Sequence, residues 1–396
     1  MTAQPPAATS QDGPRPSLLT VVREWGRIGC IGFGGPPAHI KLLRETCVER
    51  RQWLSATEFT DALAVCNLLP GPSSTQLAIF CAWRVRGRLG ALVGGASFIL
   101  PGLVVILALA ALFLSGAPPA AVLGAGAGAG AAVPVVAVQA GTSLLGASWQ
   151  RRKRTLRWLA YLMAGAVAAA TVGVWLVLVL LGCGVVEFAA QRAGSPDPQV
   201  RGAVAVPLLV AGALTSGVLL SVAWVAFKVG ALSFGGGFVI VPLMQADAVS
   251  HYHWMTGGQF LNAVALGQVT PGPVVQTVAV VGYAAAGLVG GLLASVVAFT
   301  PSFVFVLGGA PHFDRIRGDQ RARAFLDGAG PAAIGAILGS ALVLARDLSQ
   351  PWQYAVLAAA AVLVFAARRG VVSTLLAAGT AGALLVVSGA VSAVGH

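Results

Sequence analysis

The sequence predicts an all-α protein that crosses a membrane many times and is built from two copies of one unit. Three observations carry this. Of 396 residues, 57% are hydrophobic and only 10% charged, and mean hydropathy is +0.83, so polar surface is too scarce to cover a soluble globule. Apolar runs near the roughly 20 residues that a helix needs to cross a bilayer recur along the chain, far too long for barrel strands. One ordered set of motifs also appears twice at one spacing.

The elements follow in order. Residues 1–16 are polar and proline-rich, with neither the apolar core nor the cleavage site of a signal peptide, and predict a disordered tail that is retained. Apolar runs at 89–114, 120–145, 204–232, 288–309, 325–345 and 371–391 predict membrane spans. The polar stretch beginning "QRAGSPDPQVR" predicts a linker over 191–203, between a first transmembrane repeat over 17–190 and a second over 204–396. The net charge of +12 comes from arginines bunched in short loops ("RRQW", "RVRGR", "RRKRTLR", "RIRGDQRAR", "ARRG") without aromatic interleaving. Such loops orient spans toward the cytoplasm, and nucleic acid is not an expected partner. The five cysteines and five histidines form no CxxC, HxxxH or HExxH spacing, so no metal site, disulfide framework or cofactor is expected.

A spacing of 201 positions superposes Phe33-Gly34-Gly35 on Phe234-Gly235-Gly236, Trp53 on Trp254, Phe59 on Phe260 and Pro70-Gly71-Pro72 on Pro271-Gly272-Pro273. At that spacing Arg84, Arg86 and Arg88 fall on Ala285, Gly287 and Val289, while the basic loop 315–323 falls on the uncharged 114–122. Equivalent loops with opposite charge lie on opposite sides of a membrane, so the two repeats are expected to be inverted, as in alternating-access transporters.

Proline and glycine in apolar segments then acquire a purpose. About thirty residues separate the basic segments at 50–51 and 84–88, enough for two half-helices but not for two full spans. A re-entrant hairpin fits, with Pro-Gly-Pro at its tip. The second half-helix then starts within the membrane at Ser73, Ser74, Thr75 and Gln76, and in the other repeat at Val274, Val275, Gln276 and Thr277. A helix N-terminus leaves amides unpaired and carries about half a positive charge, which suits an anion. The plainer alternative is a pair of kinked spans whose hydroxyls bond their own carbonyls. The Phe-Gly-Gly segments, extended by Gly237, are expected to break each first helix, although close helix packing would also explain them.

Arg27 and Lys228 stand at the same spacing, each six residues before Phe-Gly-Gly in an apolar helix, and are candidate substrate ligands. The alternatives are that Arg27 pairs with Glu24 and that Lys228 snorkels to the interface. Asp61 and Glu24 are the candidates for proton coupling, with an ordinary solvated position as the alternative for Asp61.

The segments "IGFGGPPAHI" and "NLLPGP" in the first half, with "LSFGGGFVIVPLM" and "QVTPGPV" in the second, resemble the chromate ion transporter family in its long bidomain form. The resemblance runs along nearly the whole chain. It implies a bacterial inner-membrane protein of two oppositely oriented domains that exports chromate and confers chromate resistance, with "FGGPPAHI" and both Pro-Gly-Pro segments functional. The expected partners are the chromate dianion, with sulfate or another tetrahedral oxyanion as the alternative substrate, and the lipid bilayer; a homodimer is compatible with the sequence. Pro36-Pro37 departs from Gly237-Phe238 at the equivalent position, so the two breaks are not expected to flex equally. A channel shares the same pore residues. An enzyme is not expected, because the spans carry no nucleophile or metal constellation, and no Walker sequence is present.

Overall fold

The computed structural model describes residues 16–69, 71–116, 118–172, 175–193, 217–233, 238–310 and 320–391. The expected tail (save Pro16), Pro70, most of the linker, residues 204–216, Phe234 to Gly237 and much of the 315–323 loop lie outside the described residues. Among the described residues the chain is helical, without strands. Large apolar side chains such as Leu156, Val104, Val289 and Leu384 lie exposed on its outer face, as they do where lipid replaces water.

The first half runs α1 (Leu18–Ile31), α2 (Pro36–Arg44, prolonged by a π turn Glu45–Arg50), α3 (Ala56–Cys66), α4 (Ser73–Phe113), α5 (Ala120–Gln150), α6 (Thr155–Thr171) and α7 (Leu176–Ala193). The second runs α8 (Val218–Leu232), α9 (Ile240–Gln245, prolonged by a π turn Ala246–His251), α10 (Gly257–Val269), a 3-10 turn Val274–Gln276 leading into α11 (Thr277–Gly309), then α12 (Gln320–Arg346), α13 (Pro351–Ala361, with a π turn Val362–Ala366) and α14 (Val371–Val387). Helices α4, α5, α11 with its leading turn, and α12 are long and apolar enough to cross a membrane alone. The run at 204–232 is seen only as α8. The sequence reading missed α6 and α7, although residues 158–186 form one uncharged apolar stretch, and the short α13.

Helices α4 and α11 are each two arms. Arg86 and Gly87 break α4 with φ of −140° and +66°, and Ala286 and Gly287 break α11 with −150° and +61°. The chain reverses at both, as the packing shows: a Cβ on Gly90 would lie 2.4 Å from the Ala82 carbonyl oxygen, and one on Gly290 would lie 2.1 Å from that of Gly282. Glycine meets both demands, a positive φ at the reversal and backbone-to-backbone approach beside it. The arm 73–85 therefore returns along the long arm 88–113, and with α3 it forms a helical hairpin that turns at the Pro-Gly-Pro segment. Helix α10 and the arm 277–285 form the second.

The duplication is written in the backbone. Gln52 and His253 share a positive φ of 52° and 53°, the π turns coincide, and Ser55 and Thr256 cap α3 and α10 by accepting from the Glu58 and Gln259 amides. These pairs keep the spacing of 201. Beyond the tips it falls to 200, since Gly87 matches Gly287 and Pro101 matches Pro301. One residue is missing from the second tip, which opens as a 3-10 turn where the first opens directly as an α-helix. The equivalences drawn at 201 are corrected accordingly: Arg84, Arg86 and Arg88 match Ala284, Ala286 and Leu288, and Gln76 matches Gln276. The charge contrast survives, because these partners are also neutral.

Packing is reciprocal. Helix α1 lies on α4 as α8 lies on α11; α5 packs on α13 and α14 as α12 packs on α6 and α7; and α4 meets α11 as α5 meets α12. Small residues permit the close crossings. A Cβ on Gly29 would meet the Phe98 carbonyl oxygen at 2.5 Å, and one on Gly230 would meet that of Ala298 at 2.0 Å.

Candidate functional site

The site begins with a missing N–H. In an unbroken helix the Gly32 carbonyl would accept from residue 36, but Pro36 has no proton to give. The chain leaves helical geometry through Gly34 (φ +94°) and Gly35 (φ +76°), exposing Phe33, before α2 starts at Pro36. His39 on α2 is fully buried, edge-on to Phe98, and its Nε2–H donates to the Gly32 carbonyl at 2.9 Å. Its Nδ1 then accepts from the Ser74 hydroxyl at 3.3 Å.

Each tip lies against the other half. Gly272 (φ +96°) donates its N–H to the same Gly32 oxygen at 3.0 Å. The carbonyl of Pro271 faces Gly102, where a Cβ would come within 2.1 Å, and the Gln276 amide donates to the Ile99 carbonyl at 2.6 Å. On the first tip, a Cβ on Gly71 (φ +118°) would lie 3.3 Å from the Ser302 hydroxyl and 3.4 Å from the Gly230 carbonyl oxygen. Gly102 and Ser302 each follow the proline within a long arm, Pro101 or Pro301. Pro72 and Pro273, both in extended backbone, lead directly into the returning arms.

The eight residues expected to open the half-helices are no more than 5% exposed. Around them are buried polar atoms with no hydrogen-bond partner: Thr75 Oγ1, Gln276 Oε1 and the Ser302 hydroxyl, with Gln268 Nε2 and the Ser233 hydroxyl on the flanking segments. Leaving such a group unsatisfied costs about 1–3 kcal/mol, so a set of them near the two helix starts marks a candidate site. Thr277 takes the plainer course, its hydroxyl donating to the Val274 carbonyl at 2.8 Å.

The two cations are placed differently. Lys228 is 12% exposed and donates to both oxygens of the buried Asp247, at 2.8 and 2.7 Å, with its ammonium 5.6 Å from the Trp224 ring. It is neutralised inside the protein and does not snorkel. Arg27 is exposed and lines a recess with Arg23, Glu24, Arg50 and Arg51. Glu24 is buried and bonds to Arg51 and, at 2.9 Å, to Arg50, so its hydrogen-bond partners come from the end of the π turn that prolongs α2 and not from Arg27. No hydrogen bond or ion pair among the described residues joins either cation to a tip. Asp61 is half-buried on α3, and its neighbour Glu58 pairs with Arg84.

Asp247, Ser302 and Gln268 were not singled out as site residues, and His39 entered only as part of "FGGPPAHI". His39 stands three residues after Pro36, where the orphaned carbonyl should have been sought. Ser302 is signalled by Pro301 once the spacing of 200 is known. Asp247 meets Lys228 only through the fold.

No solved structure matches the chain. A chromate transport protein of Cupriavidus metallidurans is 33% identical over 357 residues, covering 87% of both chains. One of Pseudomonas aeruginosa is 30% identical over 370 residues, covering 86% of this chain and 84% of its own. A probable chromate transport protein of Synechococcus elongatus is 30% identical over 346 residues, covering 84% and 86%. The family model described as chromate transporter matches residues 19–188 and 220–384, one segment in each half. With motifs, fold and relatives in agreement, the chain belongs to the chromate transporter family.

Proposed function

We propose that this protein exports the chromate dianion from the bacterial cytoplasm by alternating access, and thereby confers chromate resistance. The observation that carries the reading is that each hairpin tip is seated against the other half and opens its returning arm among buried polar atoms that lack partners. A tetrahedral oxyanion offers acceptors to the Thr75 and Ser302 hydroxyls and to the first amides of both returning arms, and charge-assisted bonds of this kind offset the loss of its hydration. Sulfate fits the same geometry. A dianion leaving a negative interior gains about 4.6 kcal/mol per 100 mV, so export needs no ATP.

The halves are taken as 17–190 and 204–396, joined by the linker 191–203 and inverted with respect to each other. The loop charges support inversion. So does the contact of Lys153 in one basic loop with Gln191, whose amide reaches Asp327 near the start of α12, since it sets two basic segments on one side. Arg27, in its recess of arginines, is assigned to gathering the anion at the cytoplasmic mouth. Lys228 is assigned to the wall of the site, with Asp247 as counter-ion. Asp61 and Glu24 remain the proposed coupling groups.

The test is uptake of labelled chromate into inverted vesicles, with sulfate as competitor. Saturable uptake with counterflow and weak sulfate competition is expected. Flux that never saturates and shows no counterflow would establish a channel, and dominant sulfate competition would reassign the substrate.

A further inference from the structure

The two hairpins are equivalent in sequence but not in position. Helix α10 packs against α5 and α14 as well as its own returning arm, whereas α3 packs mainly on α4 and makes no comparable contact with α12 or α7. Residue by residue the contrast forms a stripe. Thr60, Ala64 and Asn67 are exposed, while their equivalents Leu261, Ala265 and Gln268 are 2%, 2% and 5% exposed. With Thr57, also exposed, they occupy one helical face, and three of the four are polar, which suits water and not lipid.

The seat that α3 would occupy can be identified. On the docked side, a Cβ on Gly130 of α5 would lie 2.8 Å from Asn262 Oδ1 and 3.2 Å from Leu261 Cβ. The sequence Gly128-Ala129-Gly130 recurs as Gly328-Ala329-Gly330 in α12, and the match holds in space: Gly128 abuts the Ala378 carbonyl of α14 as Gly328 abuts the Cys183 carbonyl of α7. Yet among the described residues nothing lies within 4 Å of a Cβ placed on Gly330. The base of the docked hairpin is also held, because Gly257 abuts the Asp347 carboxylate, which Gln245 bonds at 2.7 Å. The equivalent Ala56 is exposed.

We infer that α3 is a gate, released in this structure, that closes by laying the Thr57–Thr60–Ala64–Asn67 face on α12 with Thr60 over Gly330. The basic segments flanking this hairpin place it on the cytoplasmic side, so the released state is open to the cytoplasm. The docked α10 is the closed outer gate. This deepens the alternating-access reading and rests on it, by naming the surface that alternates.

The inference is tested by cross-linking in membranes, using full-length protein whose native cysteines are replaced and whose transport is retained. The pair Thr60→Cys/Gly330→Cys is expected to form a disulfide that stops transport until it is reduced. Leu261→Cys/Gly130→Cys is the positive control, its Cβ separation of 3.2 Å lying near the ~3.8 Å of a disulfide. Failure of the first pair while the control cross-links, or a Thr60→Cys disulfide between two copies of the chain, would overturn the gate. Gly330→Leu supplies a second arm. It meets open space in the released state, so folding and labelling of Asn67→Cys by a water-soluble maleimide are expected to persist while transport is lost; unchanged transport would overturn the inference. Cross-linking needs no chromate, so a gate that closes in a protein that does not carry chromate would refute the substrate and leave the gate standing.

Discussion

The peptide N–H of Gly272 donates to the carbonyl of Gly32, tying the tip of the second hairpin to the broken first helix of the other half. His39 donates to the same oxygen while holding Ser74, so one carbonyl joins three segments drawn from both halves. It is available because Pro36 cannot use it. A movement of either tip must therefore exchange these bonds for others, which makes the junction a natural latch.

His39→Ala removes a donor from Gly32 and an acceptor from Ser74, at a cost of about 1–3 kcal/mol. A lower melting temperature and loss of most chromate transport by inserted protein are expected, with Ser74→Ala milder because Gly32 keeps its imidazole. Transport per folded molecule in reconstituted vesicles decides, and parental rates in His39→Ala would remove the latch from the mechanism.

Gly71→Val and Gly272→Val place a β-branched side chain at φ of +118° and +96°. The backbone strain is about 1–3 kcal/mol before any clash. Gly71 is opposed by Ser302 and Gly230, so Gly71→Val is expected to suffer more than Gly272→Val. Both should insert in the membrane and fail to transport; normal transport in both would show that the tips tolerate another geometry.

Lys228 and the buried Asp247 form a largely enclosed pair, and removing one member leaves an uncompensated charge. Asp247→Asn and Lys228→Gln should each cost about 3–5 kcal/mol, whereas Lys228→Met with Asp247→Leu should recover most of it. Thermal unfolding in detergent measures this. Chromate binding by the stable double variant then separates wall from ligand: binding is expected to be lost, and parental affinity would show that the pair is only structural.

Arg27 acts at a distance if it gathers anions. Arg27→Gln is expected to raise the apparent KM for chromate several-fold with kcat unchanged, and the difference should shrink as salt shortens the ~8 Å screening length. A fall in kcat with no change in KM would place Arg27 in a later step.

Much of the fold was legible because membrane spans and duplicated breaks are patterns of composition and spacing. Pro-Gly-Pro announced the hairpin tips because few other sequences reverse a chain within so few residues. The one-residue difference after the second tip was not legible, since Val274-Val275 falls on Ser73-Ser74 at 201 and on Ser74-Thr75 at 200, and the matching φ of Gly87 and Gly287 reveals the shift. The four half-helix positions of each tip were found, but their burial and their contact with the opposite half were not. Those depend on how α4 crosses α11. The partners of Glu24 and Lys228 were missed for the same reason, because a charge selects its counter-ion by distance in space.

The missing residue in the second tip has a further meaning. Where one chain carries both halves, a length change in one is not copied into the other, as it would be in a symmetric pair of identical subunits. One tip carries a run of hydroxyls, Ser73, Ser74 and Thr75, while the other has Val274 and Val275 with a tighter first turn. An ion between them would meet a polar wall on one side and an apolar wall on the other, so its two exits would be chemically unequal. Covalent fusion thereby lets the two faces of one site differ, so entry and release would run at different rates on the two sides while the membrane potential sets the net direction.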